Sequence, residues 1–399
     1  MNSINLIIYV FYLITFIWMI LRKPALVIFL QPIYIFIVGF PSLLLIEDGS
    51  YISEINSYGY QNYSLIYYSI FAFISLVIFY KYCDKIKVAI KNKSSLNLYL
   101  MASIPYVMII LYSIYNNQNL TRFNIFSVGP LLEKLFNYWS VIFIAIYYYC
   151  SLIEISKYKR VYYLIGALFI QWLMGSQFSG QIFVLFIYLN CQYLNNDFYI
   201  SRIKSVLLSF LVLFCLLSFK NSFYENGYEQ LINRVTLQSH LFWSVMDDNS
   251  SKSFIVFFEK FIHQITTIDI GPPSTSYGLG ELMHAYSGRI AEQFLEDGVY
   301  FSGGYPSILV FYFGIGFAIL LHTAITFLFV FAMKFLLQSI KYNVIIFILI
   351  YKLFALSIFS IFYSGEIFFI SLKLIILSML CFIFIILTKS KAEINNEKY

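Results

Sequence analysis

Apolar runs recur along this chain at the length that crosses a bilayer, about 20 residues rising 1.5 Å each. No other feature restricts the fold as much. A hydrocarbon slab offers no water to backbone N–H and C=O groups. A spanning segment must therefore satisfy them internally, as a helix or within a closed barrel. Continuous apolar runs, rather than strict alternation, select the helix. The chain has 399 residues, 60% of them hydrophobic and only 12% charged, where a soluble domain carries about 25% charge. The expectation is an all-α, polytopic transmembrane bundle forming a single integral membrane domain over residues 1–399.

Eleven segments qualify as spans: Ile4–Leu21, Ala25–Ile46, Ser64–Tyr80, Leu98–Tyr115, Leu135–Ile153, Val161–Gly175, Gln181–Leu194, Ser205–Phe219, Pro306–Met333, Val344–Ile361 and Ile367–Leu387. Alternate connections carry Arg22 and Lys23; Lys81, Lys85, Lys87, Lys91 and Lys93; Lys157, Lys159 and Arg160; Arg202 and Lys204; Lys334 and Lys341; and Lys389, Lys391 and Lys398. The opposite short connections carry only Arg122 and Lys134. Cytoplasmic loops hold the excess of Lys and Arg, so the N-terminus is expected outside and the C-terminus inside. The sixth and seventh spans are short and separated by Gly175–Gln181 (GSQFSGQ), a pattern also open to a re-entrant hairpin. Both their flanks are basic, so the parity holds either way.

The net charge of +6 comes from these short loops. It reports topology and gives no reason to expect nucleic acid as a partner. Cys83, Cys150, Cys191, Cys215 and Cys381 lie in or beside apolar segments, with no CxxC spacing and no disulfide framework. The first apolar run has no basic region before it and no small-residue cleavage pattern, so it is read as a span. Trp18, Trp139, Trp172 and Tyr147–Tyr149 are expected in interfacial belts. His322, Lys352, Glu366 and Lys373 fall in or at the ends of the last three spans, where ionisable groups are costly and often functional.

One polar stretch interrupts the pattern. Residues 220–305 form a long loop between the eighth and ninth spans, extracytoplasmic by the charge count. It contains Arg234, His240, His263, His284 and Arg289. Concentrating ionisable residues there, instead of at the bilayer midplane, argues for chemistry at the membrane surface and against a midplane transport site. Two helices are expected within it. Over Tyr228–Asp247, Arg234 and Gln238 share a face one turn apart. Over Glu281–Asp297, Met283, Tyr286, Ile290 and Phe294 form an apolar stripe. The opposite side carries Glu281, His284, Gly288, Arg289, Glu292, Gln293 and Glu296. The turn GPPSTSYGLG precedes this second helix, and Gly278 and Gly280 would let the backbone approach a ligand closely. Arg289 either meets phosphate oxygens through its planar fork or pairs with Glu292 or Glu296 on a solvated face. The chain has no zinc spacing, P-loop, dinucleotide fingerprint or nucleophile elbow, and no cofactor or metal is expected.

The chain resembles the O-antigen polymerases of the Wzy family, the oligosaccharide repeat-unit polymerases. Three features carry the resemblance. One is the plan of about eleven spans with a dominant late extracytoplasmic loop. Another is the segment from Gly288-Arg289 through Phe301-Ser302-Gly303-Gly304-Tyr305-Pro306 into the span Ser307–Leu321. The last is Gly175-Ser176-Gln177-Phe178-Ser179-Gly180, similar to a GSKFSG-type turn with Gln177 at the usual basic position. The resemblance implies a membrane glycosyltransferase of the bacterial inner membrane. It would move a growing glycan from undecaprenyl pyrophosphate onto the next lipid-linked repeat unit, making O-antigen or capsular polysaccharide. The implied partners are the lipid-linked donor and acceptor, membrane lipid and a polysaccharide chain-length regulator protein.

That reaction needs cationic groups for the departing pyrophosphate and a base for the acceptor hydroxyl. Arg289 is expected to serve first, then Arg234, with Arg122 and Lys220 as further cations in the substrate site. His284 suits the base, and Glu281 and Glu292 bracket the same face. Gln238, Gly278, Gly280, Gly303, Gly304 and Tyr305 complete the expected substrate contacts. On a regular helix His284 and Arg289 stand about 140° apart, flanking one polar face. Competing readings are an O-antigen ligase transferring polymer to lipid A–core, a lipid-linked oligosaccharide flippase and a sugar-modifying membrane acyltransferase.

Overall fold

The computed structural model describes residues 3–86, 95–117, 130–173, 178–195, 232–233, 235–248, 254–266, 277–296, 303–354, 358–365, 378–379 and 383. The helices are α1 (Ser3–Arg22), α2 (Leu30–Glu47, after a 3-10 turn at Pro24–Phe29), α3 (Ser64–Tyr82), α4 (Leu96–Asn117), α5 (Pro130–Ile153), α6 (Lys157–Leu173) and α7 (Phe178–Leu194). They continue with α8 (His240–Asp248), α9 (Phe254–Thr266), α10 (Gly278–Glu296), α11 (Ser307–Gln338), α12 (Val344–Phe354) and α13 (Ser360–Ser364). The expected all-α class holds, with one addition. A small antiparallel hairpin, β1 (Tyr51–Ile52) and β2 (Ser57–Tyr58), joins α2 to α3 with Tyr51 opposite Tyr58.

Four helical stretches are long and apolar enough to cross a membrane: Ser3–Arg22, Pro24–Glu47, Ser64–Lys85 and Ser307–Lys341. Shorter apolar helices cover Leu96–Met108, Trp139–Ile153, Gly180–Leu194 and Val344–Phe354. The chain is a multi-pass membrane protein. The expected spans Ser205–Phe219 and most of Ile367–Leu387 lie outside the described residues, as does the turn at 174–177. The flanking α6 and α7 pack on each other.

The fold divides into two compact units. The first comprises Met1–Asp84, Tyr199–Phe331 and Leu356–Leu374; the second comprises Lys85–Phe198, Ala332–Ala355 and Ile375–Tyr399. In the first, α1, α2 and α3 pack together around fully buried aromatics. Phe29 stacks on Phe79 at 4.6 Å, and Phe329 meets Phe362 edge-on at 5.1 Å. Glu47 ties the three helices through hydrogen bonds. Its carboxylate accepts from Ser64 Oγ at 2.7 Å, from the Leu65 N–H at 3.1 Å and from Asn5 Nδ2. An anion at the start of α3 satisfies an orphan N–H and complements the helix dipole. At the other end, Lys23 pairs with Asp84 at 2.8 Å and lies 4.6 Å over the Tyr80 ring.

His322, on α11, is completely buried in the same unit. Its Nε2 lies 2.8 Å from the Phe71 carbonyl oxygen, which can only accept, so Nε2 carries the proton. Nδ1 then accepts from the Tyr305 hydroxyl. Ser75 and Thr326 complete the network. A buried polar group must be hydrogen-bonded, and His322 meets that requirement with both ring nitrogens.

The second unit packs α4, α5, α6, α7 and α12. Just after α5, Glu154 accepts from the Ser95 N–H at 3.1 Å and the Tyr163 hydroxyl at 3.0 Å. Desolvation raises its pKa, but these hydrogen bonds outweigh it and hold the carboxyl below its usual range. Tyr147 and Tyr148, expected in an interfacial belt, are buried core residues. Tyr147 donates to the Val184 carbonyl at 3.2 Å. Three successive tyrosines cannot all face one side of a helix, and here two of them point inward.

Candidate functional site

The described part of the long loop folds onto the first unit as three helices, α8, α9 and α10. The single helix expected over Tyr228–Asp247 is interrupted. Residues 232–236 are helical where described, 237–239 form a turn, and α8 starts at His240. The turn aims His240 into the core, where it is 0% exposed with Nδ1 at 3.0 Å from the Leu237 carbonyl. Burial pushes its pKa down to about 4. His240 is therefore a neutral core residue.

The second expected helix exists as α10 and begins earlier, at Gly278. It is kinked at Gly288, whose φ of 48° and ψ of −124° break the helical geometry. Glycine tolerates the positive φ that other residues resist. The kink rotates the second half of the helix. Met283 is buried as expected, but beyond the kink Ala291 and Leu295 are the buried residues, with Ile290 and Phe294 only half-buried. The regular-helix angle between His284 and Arg289 therefore does not apply, because the kink lies between them.

Around α10 the polar residues separate into a buried set and an exposed set. Glu281 is buried. Its Oε1 is 2.6 Å from Lys260 Nζ of α9, and its Oε2 accepts from the Tyr312 hydroxyl of α11. Tyr312 in turn accepts from the Gly278 N–H at 2.9 Å. This chain of contacts joins α9, α10 and α11. Glu281 thus belongs to an internal ion pair and does not share the surface of His284 and Glu292. Lys260 and Tyr312 escaped the sequence reading because their relation to Glu281 is purely tertiary. Within FFEKF, Lys260 looks like an ordinary surface lysine.

On the outer side, His284 Nε2 is 2.9 Å from Glu292 Oε1, with the two side chains 45% and 48% exposed. The carboxylate accepts, so Nε2 holds a proton, and in the neutral ring the lone pair is then on Nδ1. Arg289 is exposed. Glu292, one of its two expected acidic partners, is engaged by His284, and among the described residues Arg289 has no ion-pair partner. The side chain of Glu296, the other expected partner, lies outside what is described. The Tyr286 hydroxyl donates to Asp248 Oδ2 at 3.2 Å, fastening α10 to the end of α8. Tyr60 similarly donates to Asp247, and Trp243 Nε1 donates to the Tyr60 carbonyl at 2.9 Å, which brings the hairpin loop to the same place.

The remaining expected site residues fall in three groups. Arg122, Lys220 and Arg234 lie outside the described residues. Gln238 and Gly303, both half-buried, meet beside the buried Gly304 and Tyr305. A Cβ on Gly303 would stand 1.6 Å from the Gln238 carbonyl oxygen, and Gly304 lies against Gly365. The close approach these glycines permit is backbone on backbone. Tyr305 is 1% exposed, its hydroxyl held by His322. Gly278 is used by the Tyr312 contact, and Gly280 is buried inside α10. α10 therefore presents an open set of ionisable groups, His284, Glu292 and Arg289, on a helix anchored from beneath by Lys260, Glu281 and Tyr312. Among the described residues no cluster of His, Cys, Asp and Glu could hold a metal ion.

Residues 272–388 match a family described as a family of unknown function, DUF6418. The match begins just before α10 and takes in α11, α12 and α13, so it includes every member of the exposed set. No curated protein matches the chain, and no solved structure does.

Proposed function

We propose that this chain is a membrane glycosyltransferase. It polymerises undecaprenyl-pyrophosphate-linked oligosaccharide repeat units into O-antigen or capsular polysaccharide at the extracytoplasmic face of the bacterial inner membrane. In this reading eleven spans run from an outer N-terminus to an inner C-terminus, and α8, α9 and α10 lie on the outer side. The observation that carries the proposal is the exposed Arg289 on the same kinked helix as the His284–Glu292 pair.

The chemistry assigns each group one task. The acceptor hydroxyl oxygen attacks C1 of the donor's reducing-end sugar. Its proton passes to Nδ1 of the neutral His284 ring, the nitrogen that carries the lone pair when Nε2 donates to Glu292. The C1–O bond to pyrophosphate breaks, and the electron pair leaves with the lipid carrier. Arg289 meets the charge that develops on the phosphate oxygens, where its planar fork donates two hydrogen bonds. Glu292 orients the imidazole and stabilises its protonated form.

The test is a glycan ladder from cells lacking the gene and complemented with either the unsubstituted chain or Arg289→Ala. The proposal expects a single repeat on its lipid acceptor and no ladder in both the deletion and the variant, with the variant present at normal level. Polymer accumulating on the carrier would indicate a ligase instead. Repeats held inside the cytoplasm would indicate a flippase, and an unchanged ladder would dismiss all three.

A further inference from the structure

We infer that α9 (Phe254–Thr266) is an interfacial helix, seated with its outer face in the lipid of the bilayer that α11 crosses. This goes beyond the proposed reaction and holds whatever that reaction is.

The inner face of α9 is fixed by protein. The Phe257 ring lies 5.5 Å from Tyr312 and 4.6 Å from Phe313 of α11, and Phe257 stacks on Phe261 at 5.9 Å. Lys260 on this side reaches Glu281. The outer face is apolar and largely exposed. Ile255 is 67% exposed, Phe258 51% and Ile262 47%. Their spacing of three and four residues places them on one side of the helix. The exposed Glu259 and His263 stand toward one edge of that face. Large aliphatic and aromatic groups on one face with charge at its border are the pattern of a helix lying in a membrane interface.

Continuity with α11 names the occupant. Phe313 meets Phe317 at 5.7 Å. Phe317 and Leu320 are 45% and 65% exposed on a helical stretch long and apolar enough to span the membrane. An unbroken row of rings, Phe257, Phe313 and Phe317, thus runs from α9 onto the surface that α11 turns to hydrocarbon. A helix fixed to that surface brings its own apolar face to the same lipid. The stretch from 220 to 305, polar by composition, is then not wholly a soluble cap. Its middle helix returns to the membrane and carries the Lys260–Glu281 pair to headgroup depth.

The test places a single environment-sensitive fluorophore on the full-length chain. Phe258→Cys, Ile262→Cys and, as an exposed α10 control, Ala285→Cys are labelled in liposomes of phosphatidylcholine and phosphatidylglycerol. The unsubstituted chain is labelled in parallel as the blank for its own cysteines. The expected result is strong quenching at 258 and 262 by lipids spin-labelled near the headgroup, with severalfold weaker quenching by iodide than at 285. Iodide quenching at 258 and 262 equal to that at 285 would overturn the inference. Protection from both quenchers would also overturn it, since the face would then be covered by protein, such as a second copy of the chain. Two positions are read because either variant alone could fail to fold, and Ile255→Cys reports on the same face if both do.

Discussion

On one helix, Glu281 is buried in an ion pair while Arg289 faces solvent, and the two predict opposite kinds of mutant. Arg289→Ala should leave folding intact and lower polymerisation about 100- to 1000-fold, the range for losing a donor to developing charge. Arg289→Lys should recover only part of it, because an ammonium lacks the planar fork. Band intensity in the glycan ladder, at matched protein level, measures both. Glu281→Leu takes the carboxylate away from the Lys260 ammonium, which is only 26% exposed. Breaking such a pair from one side costs about 3–5 kcal/mol. The double change Lys260→Met with Glu281→Leu should be closer to the unsubstituted chain in a detergent melting curve than Glu281→Leu alone. The sequence disclosed Arg289, His284 and Glu292 because helical periodicity put all three on the polar side of one expected helix, but the contact between His284 and Glu292, eight residues apart, forms across the kink at Gly288. The sequence could not separate Glu281 from them, since the partner that draws it inward is Lys260 on another helix.

At the scale of the element, apolar length located the helices well, and glycine decided their interruptions. α1, α2, α3 and α11 cover the expected spans within a few residues because bilayer thickness and backbone satisfaction leave a helix no alternative. The kink in α10 was not legible, since Gly288 inside a helical pattern is ordinarily tolerated. Two glycines with positive φ give a paired prediction. At Gly288 nothing lies within 4 Å of an added Cβ, so Gly288→Ala should carry only the backbone cost, about 1–3 kcal/mol. At Gly303 the added Cβ also collides with the Gln238 carbonyl, so Gly303→Ala should lose most of the folded protein. Yields of monodisperse protein after detergent extraction rank the two. An equal yield would mean that the Gln238 segment can move aside.

Across the whole molecule, charge placement and buried histidine set the expectations. The Lys and Arg bias predicts that a phosphatase reporter fused after Asp248 is active outside the cytoplasm and one fused after Lys93 is not. The reverse pattern would invert the assigned topology. His240 is held neutral with its pKa near 4 when folded, against 6.5 for an ordinary histidine. Between those values only the unfolded chain takes up the proton. The stabilisation is therefore complete above pH 6.5 and declines as pH falls toward 4, by up to about 3 kcal/mol. Melting temperature followed from pH 7.5 to 4.5 should fall, and His240→Leu should flatten that slope. The sequence by itself determined that this is an all-α, multi-pass membrane protein, where its four long apolar helices lie and that His284, Arg289 and Glu292 share one helix, because these follow from segment length and local periodicity. Only the tertiary structure decided which polar residues turn inward, that Tyr305 and His322 bond each other, and that Phe257 of α9 packs against Phe313 of α11. Those contacts join residues far apart in the chain, and no periodicity within a segment encodes them.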